Sequence, residues 1–333
     1  MRRREVLAGA AVLAGATLAR HSAAQNVTAK VTAQALVDSP WDKHWDEFKA
    51  TIAAHPDITV EYYLRGETGS EEQMLTALRR NRVQIGGITM WGLAGIIPEA
   101  AVPMMPYLFD TTEEVDFVFD DFLEQRFDAF LNEKGLKFLH WSEVGWNNLY
   151  TKKPVLIPAD IKGMKIRGSP NYAAQAFLMA VGANPVALGI ADIAPALQTG
   201  LVDGGLSSLT FFYYGLKSFA TDLTALHQCY DQGVQVANLD WWNSLTPAQQ
   251  TAFRTAFVPI ERARRDLRAH GAEIERNLRT EGLKIHALSP DQRAQWVAAA
   301  RPTHGAILKE IGGKAQNVYD LIQDGKRAFA QRG

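Results

Sequence analysis

The sequence predicts an α/β protein built from two similar domains, with crossing strands between them and a long helix that spans both. Strand and helix patterns alternate in the first part of the chain, and the same alternation is laid down again after residue 160. Segment 247–281 has helix-forming composition over about 35 residues, roughly 50 Å at 1.5 Å per residue, which exceeds the width of one domain. The length of 333 residues and the hydrophobic fraction of 47% allow one large or two medium domains.

The N-terminus predicts an export signal, residues 1–24. Three arginines precede the apolar run LAGAAVLAGATLA, which is too short to cross a bilayer, and small residues follow at the positions expected before a cut between Ala24 and Gln25. The motif RRREVL at residues 2–7 fits the twin-arginine consensus, although three arginines equally suit an ordinary charged signal. Both routes predict a periplasmic location.

The first part of the mature chain predicts a βαβαβ unit. Its strands are AKVTAQAL (29–36), ITVEYYL (58–64) and VQIGGIT (83–89). The helix at 39–54 has Ser39 as its N-cap and Pro40 at its first position, and the helix at 70–81 begins with a capping serine and acidic residues. Because the strands alternate with helices, we expect a parallel sheet with crossover helices.

The apolar segment 88–109 is not expected to span a membrane, because Glu99 and three prolines interrupt it. We interpret it as buried loops and short helices over a cleft. A long amphipathic helix at 112–135 then leads to a strand at 136–145, and the second α/β run follows as IKGMKIRG, NYAAQAFLMAVG, NPVALG, DIAPALQTGLVDG and GLSSLTFFYYG.

Domain I is predicted to contain residues 25–144 and 233–272, and domain II residues 145–232 and 273–333. Paired α/β domains usually bind their ligand in the cleft between them, near the carboxyl ends of strands. Arg167 stands at such a strand end, in the stretch MKIRGSP.

Composition and motifs argue against several functions. The formal charge of −1, with no broad basic face, excludes nucleic acid as the expected partner. The sequence contains no GxGxxG opening a helix, no GxxxxGK[ST], no HExxH and no GxSxG. Their absence weakens the case for an enzyme without excluding one, and we predict no catalytic residue, no cofactor and no enzyme activity.

Individual reactive side chains have ordinary interpretations. His44 and His140 are far apart in sequence, so no metal site is assigned. Asp203 precedes a glycine and fits a turn, and Cys229, the only cysteine, is expected to be an inert buried thiol although His227 is near it in sequence.

Three ordered motifs carry a family resemblance. They are KGMKIRG, AVGANPV and ALQTGLVDG, and the similarity extends over nearly all of the mature chain, including VQIGGIT, PYLF and NLDWWNSLTPAQQ. The chain resembles the periplasmic solute receptors of tripartite ATP-independent periplasmic (TRAP) transporters, the DctP family. The resemblance implies the two-domain periplasmic binding protein fold with hinge strands.

The resemblance also implies a role for Arg167, which matches the arginine that pairs with a ligand carboxylate in that family. A guanidinium suits this task because its planar fork of donors meets both carboxylate oxygens. Many relatives have a second arginine in a G-F-R strand, where this chain has Gly145, Trp146 and Asn147. Asn147 thus replaces the second cation.

Further ligand-binding residues are predicted by position. Ser207 replaces an asparagine common in the family, and Phe211 begins an aromatic run next to it. Trp91, in the apolar segment after the third strand, and Glu67, in the loop after the second, are also expected to face the cleft. One fixed cation among Trp, Asn, Ser and Phe favours a monocarboxylate with an apolar or aromatic body.

The function that this pattern predicts is an exported receptor that captures a small organic acid and delivers it to the membrane subunits of a TRAP transporter. The receptor itself is not expected to insert into the membrane. Two alternatives remain open at this point: an exported α/β enzyme acting on a small carboxylate, and a binding protein that reports to a membrane sensor.

Overall fold

A computed structural model describes residues 26–332. The predicted export signal and its twin-arginine motif lie outside the described residues. The ten strands in the described range are β1 (Val27–Thr32), β2 (Ile58–Tyr63), β3 (Ile85–Thr89), β4 (Leu136–Thr151), β5 (Lys165–Gly168), β6 (Asn184–Ala187), β7 (Gly204–Ser208), β8 (Asp222–Ala225), β9 (Tyr230–Asn238) and β10 (Lys284–Ala287).

Helices alternate with these strands. In the described range they are α1 (Pro40–Ile52), α2 (Glu71–Arg79), α3 (Met90–Leu93), α4 (Thr112–Val118), α5 (Glu124–Glu133), α6 (Pro158–Ile161), α7 (Tyr172–Ala180), α8 (Ile193–Thr199), α9 (Leu209–Gly215), α10 (Leu239–Ser244), α11 (Pro247–Ala256), α12 (Ile260–Thr280), α13 (Pro290–Ala300), α14 (His304–Ile311) and α15 (Ala315–Ala330). A π-helical turn, Phe119–Leu123, joins α4 to α5, and 3-10 turns lie at Pro98–Ala101, Ile190–Asp192, Lys217–Phe219 and Arg301–Thr303.

Helix caps agree with the sequence. Ser39 accepts a hydrogen bond from the backbone N–H of Asp42, and Pro40 occupies the first position of α1. Ser70 and Gln73 form a reciprocal capping box at the start of α2. These local contacts fix the βαβαβ unit as predicted.

The sheet is mixed rather than wholly parallel. Its order is β2-β1-β3-β9-β4-β7-β5-β6, with β8 on β4 and β10 on β8. β1 pairs in parallel with β2 and β3, and β5 pairs in parallel with β6 and β7. The central pairs β3–β9, β9–β4 and β4–β7 are antiparallel. The parallel sheet expected for the βαβαβ unit is confirmed, and β4 and β9, for which the sequence predicts no direction, run antiparallel to their neighbours at the centre of the sheet.

β4 joins the two halves of the molecule. Its 16 residues pair with β9 along the first part and with β7 and β8 along the last part. The register shifts between Glu143 and Gly145, and Gly145 adopts a φ of 102°, which favours glycine. A bulge at this point lets one strand belong to two differently oriented halves.

The predicted long helix is interrupted. α11 ends at Ala256, and Pro259 precedes α12, whose 21 residues extend about 32 Å. α12 contacts α1 and β4 as well as α9 and β10, so it reaches both halves. Gly271 lies inside α12 without ending it.

The predicted domain boundaries stay a prediction. α14 contacts α7, whereas α15 packs against α4 and the π-helical turn. Ile307, Val318 and Ile322 belong to the same apolar core as Val115 and Val118. These contacts cross the boundary drawn from the sequence, because the last helices cover the first half as well as the second. No helix between residues 26 and 332 combines the length and apolar character that crossing a membrane requires.

Candidate ligand-binding cleft

A cavity of about 850 Å³ lies between the two halves of the sheet. One wall comes from β3, β9 and the start of α2, and includes Glu71, Thr89 and Asp231. The opposite wall comes from β5, β7 and the start of α9, and includes Arg167 and Ser207. A molecule held here would contact both halves at once.

Arg167 lines this cavity and is 7% exposed. Its Nε donates to the Leu188 carbonyl at 3.0 Å, and its Nη1 lies 3.4 Å from the Leu206 carbonyl. It forms no ion pair with any carboxylate of residues 26–332. Burial lowers the pKa of Arg167, whereas Tyr150, Asp231 and Glu71 act in the opposite direction from farther away. The two carbonyls leave the positive charge of Arg167 without a counter-ion, so its guanidinium can still bind an anion.

Local backbone geometry admits this guanidinium. β5 pairs with β7 so that Arg167 lies opposite Gly205. A Cβ on Gly205 would collide with the Tyr150 hydroxyl and lie 3.1 Å from the Arg167 Cβ. On the other side of the turn, Asn171 caps α7. The sequence KIRGSPN therefore ends a strand, presents the arginine and starts a helix within a few residues.

Four other predicted residues also line the cavity. Asn147 is buried on β4 and its Nδ2 lies 3.4 Å from Asp231 Oδ2. Ser207 is buried on β7, while Phe211 at the start of α9 and Trp91 in α3 are half-buried. The structure thus brings Arg167, Asn147, Ser207, Phe211 and Trp91 together.

Trp146 and Glu67 are not among the residues that line this cavity. Trp146 faces a second pocket of about 440 Å³, donates from Nε1 to Thr112 Oγ1 at 3.3 Å and stacks on His227. Adjacent residues of a strand point to opposite faces, so Trp146 cannot share the side of Asn147. Glu67 is exposed in its loop, where its Oε2 accepts from the backbone N–H of Arg65 at 2.6 Å.

The stacked His227 predicts an acid-sensitive stability. Burial, together with Arg293, lowers its pKa to about 4, below the usual 6.5. Between these values the unfolded chain binds the proton more readily, so stability falls as the pH drops through this window. His227 has a φ of 46°, which asparagine tolerates. Because the His227 side chain is also exposed to solvent, which screens its environment, we expect His227→Asn to lose less stability than wild type between pH 7.5 and pH 5 in urea unfolding by under about 1 kcal/mol. Equal losses in the two proteins would refute this.

Sequence reasoning missed three acceptor residues in the cleft. Asp231 and Gln235 lie on β9 and Glu71 begins α2, and all three line the cavity. Alternation in YDQGVQ places residues 231, 233 and 235 on one face, a signal that was available without the structure. In the sequence, Glu71 is one of the acidic residues at the start of the helix at 70–81, and no motif there places it at a cleft.

Asp231 has an unusual electrostatic environment. Burial raises its pKa to about 7, Glu71 adds to the rise, and hydrogen bonds from Asn147 and Trp91 together with Arg167 oppose it. Burial also raises the pKa of Glu71, although the N–H and hydroxyl of Thr89 donate to its carboxylate at 2.6 and 2.9 Å. Both carboxyl groups are thus held in a cavity wall that disfavours their charge.

The remaining candidates have structural contacts. Asp203 Oδ2 accepts from the Lys165 backbone N–H at 2.8 Å, and burial keeps the pKa of the Cys229 thiol well above its usual range. His44 and His140 both line the cavity, but His44 pairs with Asp266 and His140 stacks on Phe257. Among residues 26–332, no cluster of three or more potential ligands could hold a metal ion.

Comparison with known proteins agrees with this architecture. Residues 33–310 match the model of the bacterial extracellular solute-binding protein family 7, DctP. The C4-dicarboxylate-binding periplasmic protein DctP of Vibrio cholerae is 26% identical over 280 residues, which cover 83% of this chain and 79% of the relative.

Solved structures share the fold. A TRAP periplasmic solute-binding protein from Roseobacter denitrificans with bound β-D-glucuronate superimposes with a TM-score of 0.83 at 22% identity, covering 89% of this chain and 99% of that one. The sugar acid binding protein DctPAm from Advenella mimigardefordensis, in complex with galactonate, gives 0.84 at 22% identity, covering 91% and 99%.

Two α/β halves that share crossing strands and enclose a cavity form the architecture of a two-domain solute-binding protein. The chain belongs to the bacterial extracellular solute-binding protein family 7, whose members are periplasmic receptors. The resemblance to TRAP receptors is confirmed, and so is the prediction that the protein is a binding protein of a transport system rather than an enzyme.

Proposed function

We propose that this protein binds a small organic acid in the cleft, with the ligand carboxylate on Arg167. The observation that carries the proposal is a buried guanidinium on the cavity wall that has no anionic partner within residues 26–332. A buried charge is costly unless it is paired, so a ligand carboxylate would relieve the cost and form charge-assisted hydrogen bonds.

The other predicted residues take supporting roles in this proposal. Asn147 and Ser207 offer neutral polar groups beside Arg167, and Trp91 and Phe211 provide apolar surface for the ligand body. A single cation suits one carboxylate better than two. Because Trp146 and Glu67 lie away from this cavity, neither contributes a direct contact with the ligand in the described arrangement.

Binding is coupled to closure in this proposal. The two walls belong to opposite halves, and β4, with its bulge at Gly145, connects them. A ligand that contacts both walls binds the closed arrangement better, and so shifts the population toward it. The closed form then docks on the membrane subunits of a TRAP transporter. Related proteins carry names that include C4-dicarboxylate and sugar acid, which supports an organic acid as the ligand class.

A thermal-shift panel tests the proposed function. The mature protein is heated with monocarboxylates, hydroxy acids, dicarboxylates and matched neutral amides of these acids. An acid present at 100 times its Kd should stabilise the folded protein by about 2.7 kcal/mol, which raises the melting temperature measurably. The amides serve as the control, because they keep the shape and lack the charge.

Two outcomes of the panel would contradict the proposal. One is that no acid raises the melting temperature. The other is that amides raise it as much as their acids do, which would mean that the cleft does not use a carboxylate contact.

A further inference from the structure

One wall of the cleft contains single acceptor oxygens without a donor, on residues whose other polar atoms can be paired, as Asp231 Oδ2 is with Asn147. β9 presents Asp231, Gly233 and Gln235 to the cavity in alternate positions. Asp231 is 7% exposed and Gln235 is 9% exposed. The atoms Asp231 Oδ1 and Gln235 Oε1 are buried and have no hydrogen-bond partner among residues 26–332. An unsatisfied buried acceptor costs the free energy of its lost hydration, so native proteins rarely keep one.

The backbone around these acceptors leaves room for a ligand. Gly87 lies opposite Gln235 in the β3–β9 register, and a Cβ there would lie 2.9 Å from Gln235 Oε1. Gly233 lies opposite Thr89, and a Cβ on Gly233 would lie 3.1 Å from the Ile88 carbonyl. Because neither glycine has a side chain, the cavity surface between Asp231 and Gln235 is formed by backbone and leaves space for a ligand group.

No cation of the described residues pairs with the carboxyl groups of this wall: Arg79 of α2 also lines the cavity, but its Nε donates to the Lys134 carbonyl at 3.2 Å. Neither Asp231 nor Glu71 forms an ion pair with a lysine or arginine of the described residues, and Arg167 acts on both only over a distance. Both carboxylate oxygens of Glu71 accept hydrogen bonds from Thr89, one from its backbone N–H and one from its hydroxyl. The cavity is therefore polarised, with a cation on the β5 side and acceptors on the β9 side.

We propose that Asp231 and Gln235 form a subsite for hydrogen-bond donors, so that the ligand is a hydroxy- or amino-substituted monocarboxylate. This inference rests on the proposed function, since Arg167 holds the carboxylate while the substituent donates to the acceptors. A hydroxyl or ammonium group satisfies the orphaned oxygens. A second carboxylate at this end would face Asp231, and above about pH 7, where Asp231 is charged, bringing two like charges together in an interface is strongly unfavourable.

Matched ligand series test the subsite. Calorimetry gives the Kd of butanoate, 4-hydroxybutanoate, 4-aminobutanoate and succinate, and of the corresponding six-carbon acids hexanoate, 6-hydroxyhexanoate, 6-aminohexanoate and adipate. In at least one series, we expect the hydroxy or amino acid to bind 10-fold or more tightly than the unsubstituted acid, and the dicarboxylate to bind most weakly. The hydroxy and amino arms identify which donor the subsite prefers.

Two variants test whether Asp231 and Gln235 cause the preference for the hydroxy- or amino-substituted acid. Asp231→Asn has nearly the same shape and lacks the charge, so the advantage of the substituted acid over the dicarboxylate should shrink at least 10-fold. Gln235→Met, which removes an acceptor and keeps the volume, should weaken the substituted acid about 5-fold and leave the unsubstituted acid unchanged. Asp240→Asn, at an exposed position of α10, is the control for loss of one charge and should change no ratio.

The outcomes separate the two proposals. If acids bind but the dicarboxylate or the unsubstituted acid is the tightest in both series, the donor subsite is overturned and the organic-acid function stands. Unchanged ratios in Asp231→Asn and Gln235→Met overturn it as well. If no acid in either series or in the thermal-shift panel binds, both the function and the subsite fall.

Discussion

Arg167→Met should weaken binding of the tightest acid from the thermal-shift panel by about 30-fold to several thousand-fold. The range follows from the 2–5 kcal/mol that is lost when one partner of a buried, hydrogen-bonded charge pair is removed, at tenfold per 1.4 kcal/mol. The other arginine among the described residues that line the cavity is Arg79 of α2, whose Nε donates to the Lys134 carbonyl, so it is not placed to substitute for Arg167. Calorimetry on the mature protein measures the Kd.

The unliganded variant should remain folded, with a melting temperature within a few degrees of wild type. Met keeps most of the side-chain volume, and replacing an unpaired buried charge with an apolar group of similar size is often close to neutral. The hydrogen bonds to the Leu188 and Leu206 carbonyls are lost, which offsets part of that gain. A melting temperature lowered by more than about 10 °C would assign Arg167 a structural role instead.

Two further variants control this experiment. Arg167→Lys keeps the charge and loses the planar fork, so its affinity should lie between wild type and Arg167→Met. Arg262 pairs with Glu47 at the surface, outside the cavity, and Arg262→Met should leave the Kd unchanged. A Kd of Arg167→Met within threefold of wild type would show that the carboxylate contacts another group.

Much of the fold could be predicted because the deciding signals are local. Ser39 and Pro40 mark the start of α1, and the strand KIRG ends at a glycine and a proline. The antiparallel course of β4 and β9 could not be predicted in this way, because strand direction within a sheet depends on partners far away in sequence. β9 pairs with β3 and β4, and the paired residues are about 80 to 150 positions apart in the sequence.

The cleft could be predicted in part for the same reason. Arg167 stands at a strand end, where a ligand is expected, and the motif around it is specific. Trp146 and Asn147 are neighbours on one strand, so only one of them could face the cavity. The bulge at Gly145 decides which one does, and the sequence does not show that a bulge lies there. Glu67 and Glu71 lie four residues apart, and only the packing of α2 on β3 determines that Glu71 is the one at the cavity.

Arg264→Met should lower the free energy of unfolding by about 3 kcal/mol. Arg264 is 3% exposed on α12, with Nη1 2.6 Å and Nη2 2.9 Å from the Asp120 carboxylate and Nε 3.1 Å from Asp116. Glu143, also 3% exposed, lies 3.8 Å from the same guanidinium. Removing one partner of a buried ion pair costs roughly 3–5 kcal/mol, because the other charges stay buried without compensation.

The lower end of that range applies here, because two of the carboxylates around Arg264 are partly exposed to solvent and Arg268 still pairs with two of them when Arg264 is removed. The Asp116 and Asp120 side chains are 24% and 36% exposed, and Arg268 retains its contacts with Asp116 and Glu143. Urea unfolding monitored by tryptophan fluorescence gives the change, with Arg262→Met as the matched control. That exposed pair should contribute less than about 1 kcal/mol. A loss in Arg264→Met no larger than in the control would contradict a stabilising cluster.

The same variant separates stability from binding. The cluster connects α12 to α4 and to β4 at Glu143, whose carbonyl accepts from Nε1 of Trp41, a residue of the cavity wall. Arg264 itself is not part of that wall, so a folded Arg264→Met protein should keep the Kd of wild type within a few-fold while its melting temperature falls. Arg167→Met should show the reverse, with affinity lost and stability kept, because its charge faces the ligand and the charge of Arg264 faces the protein.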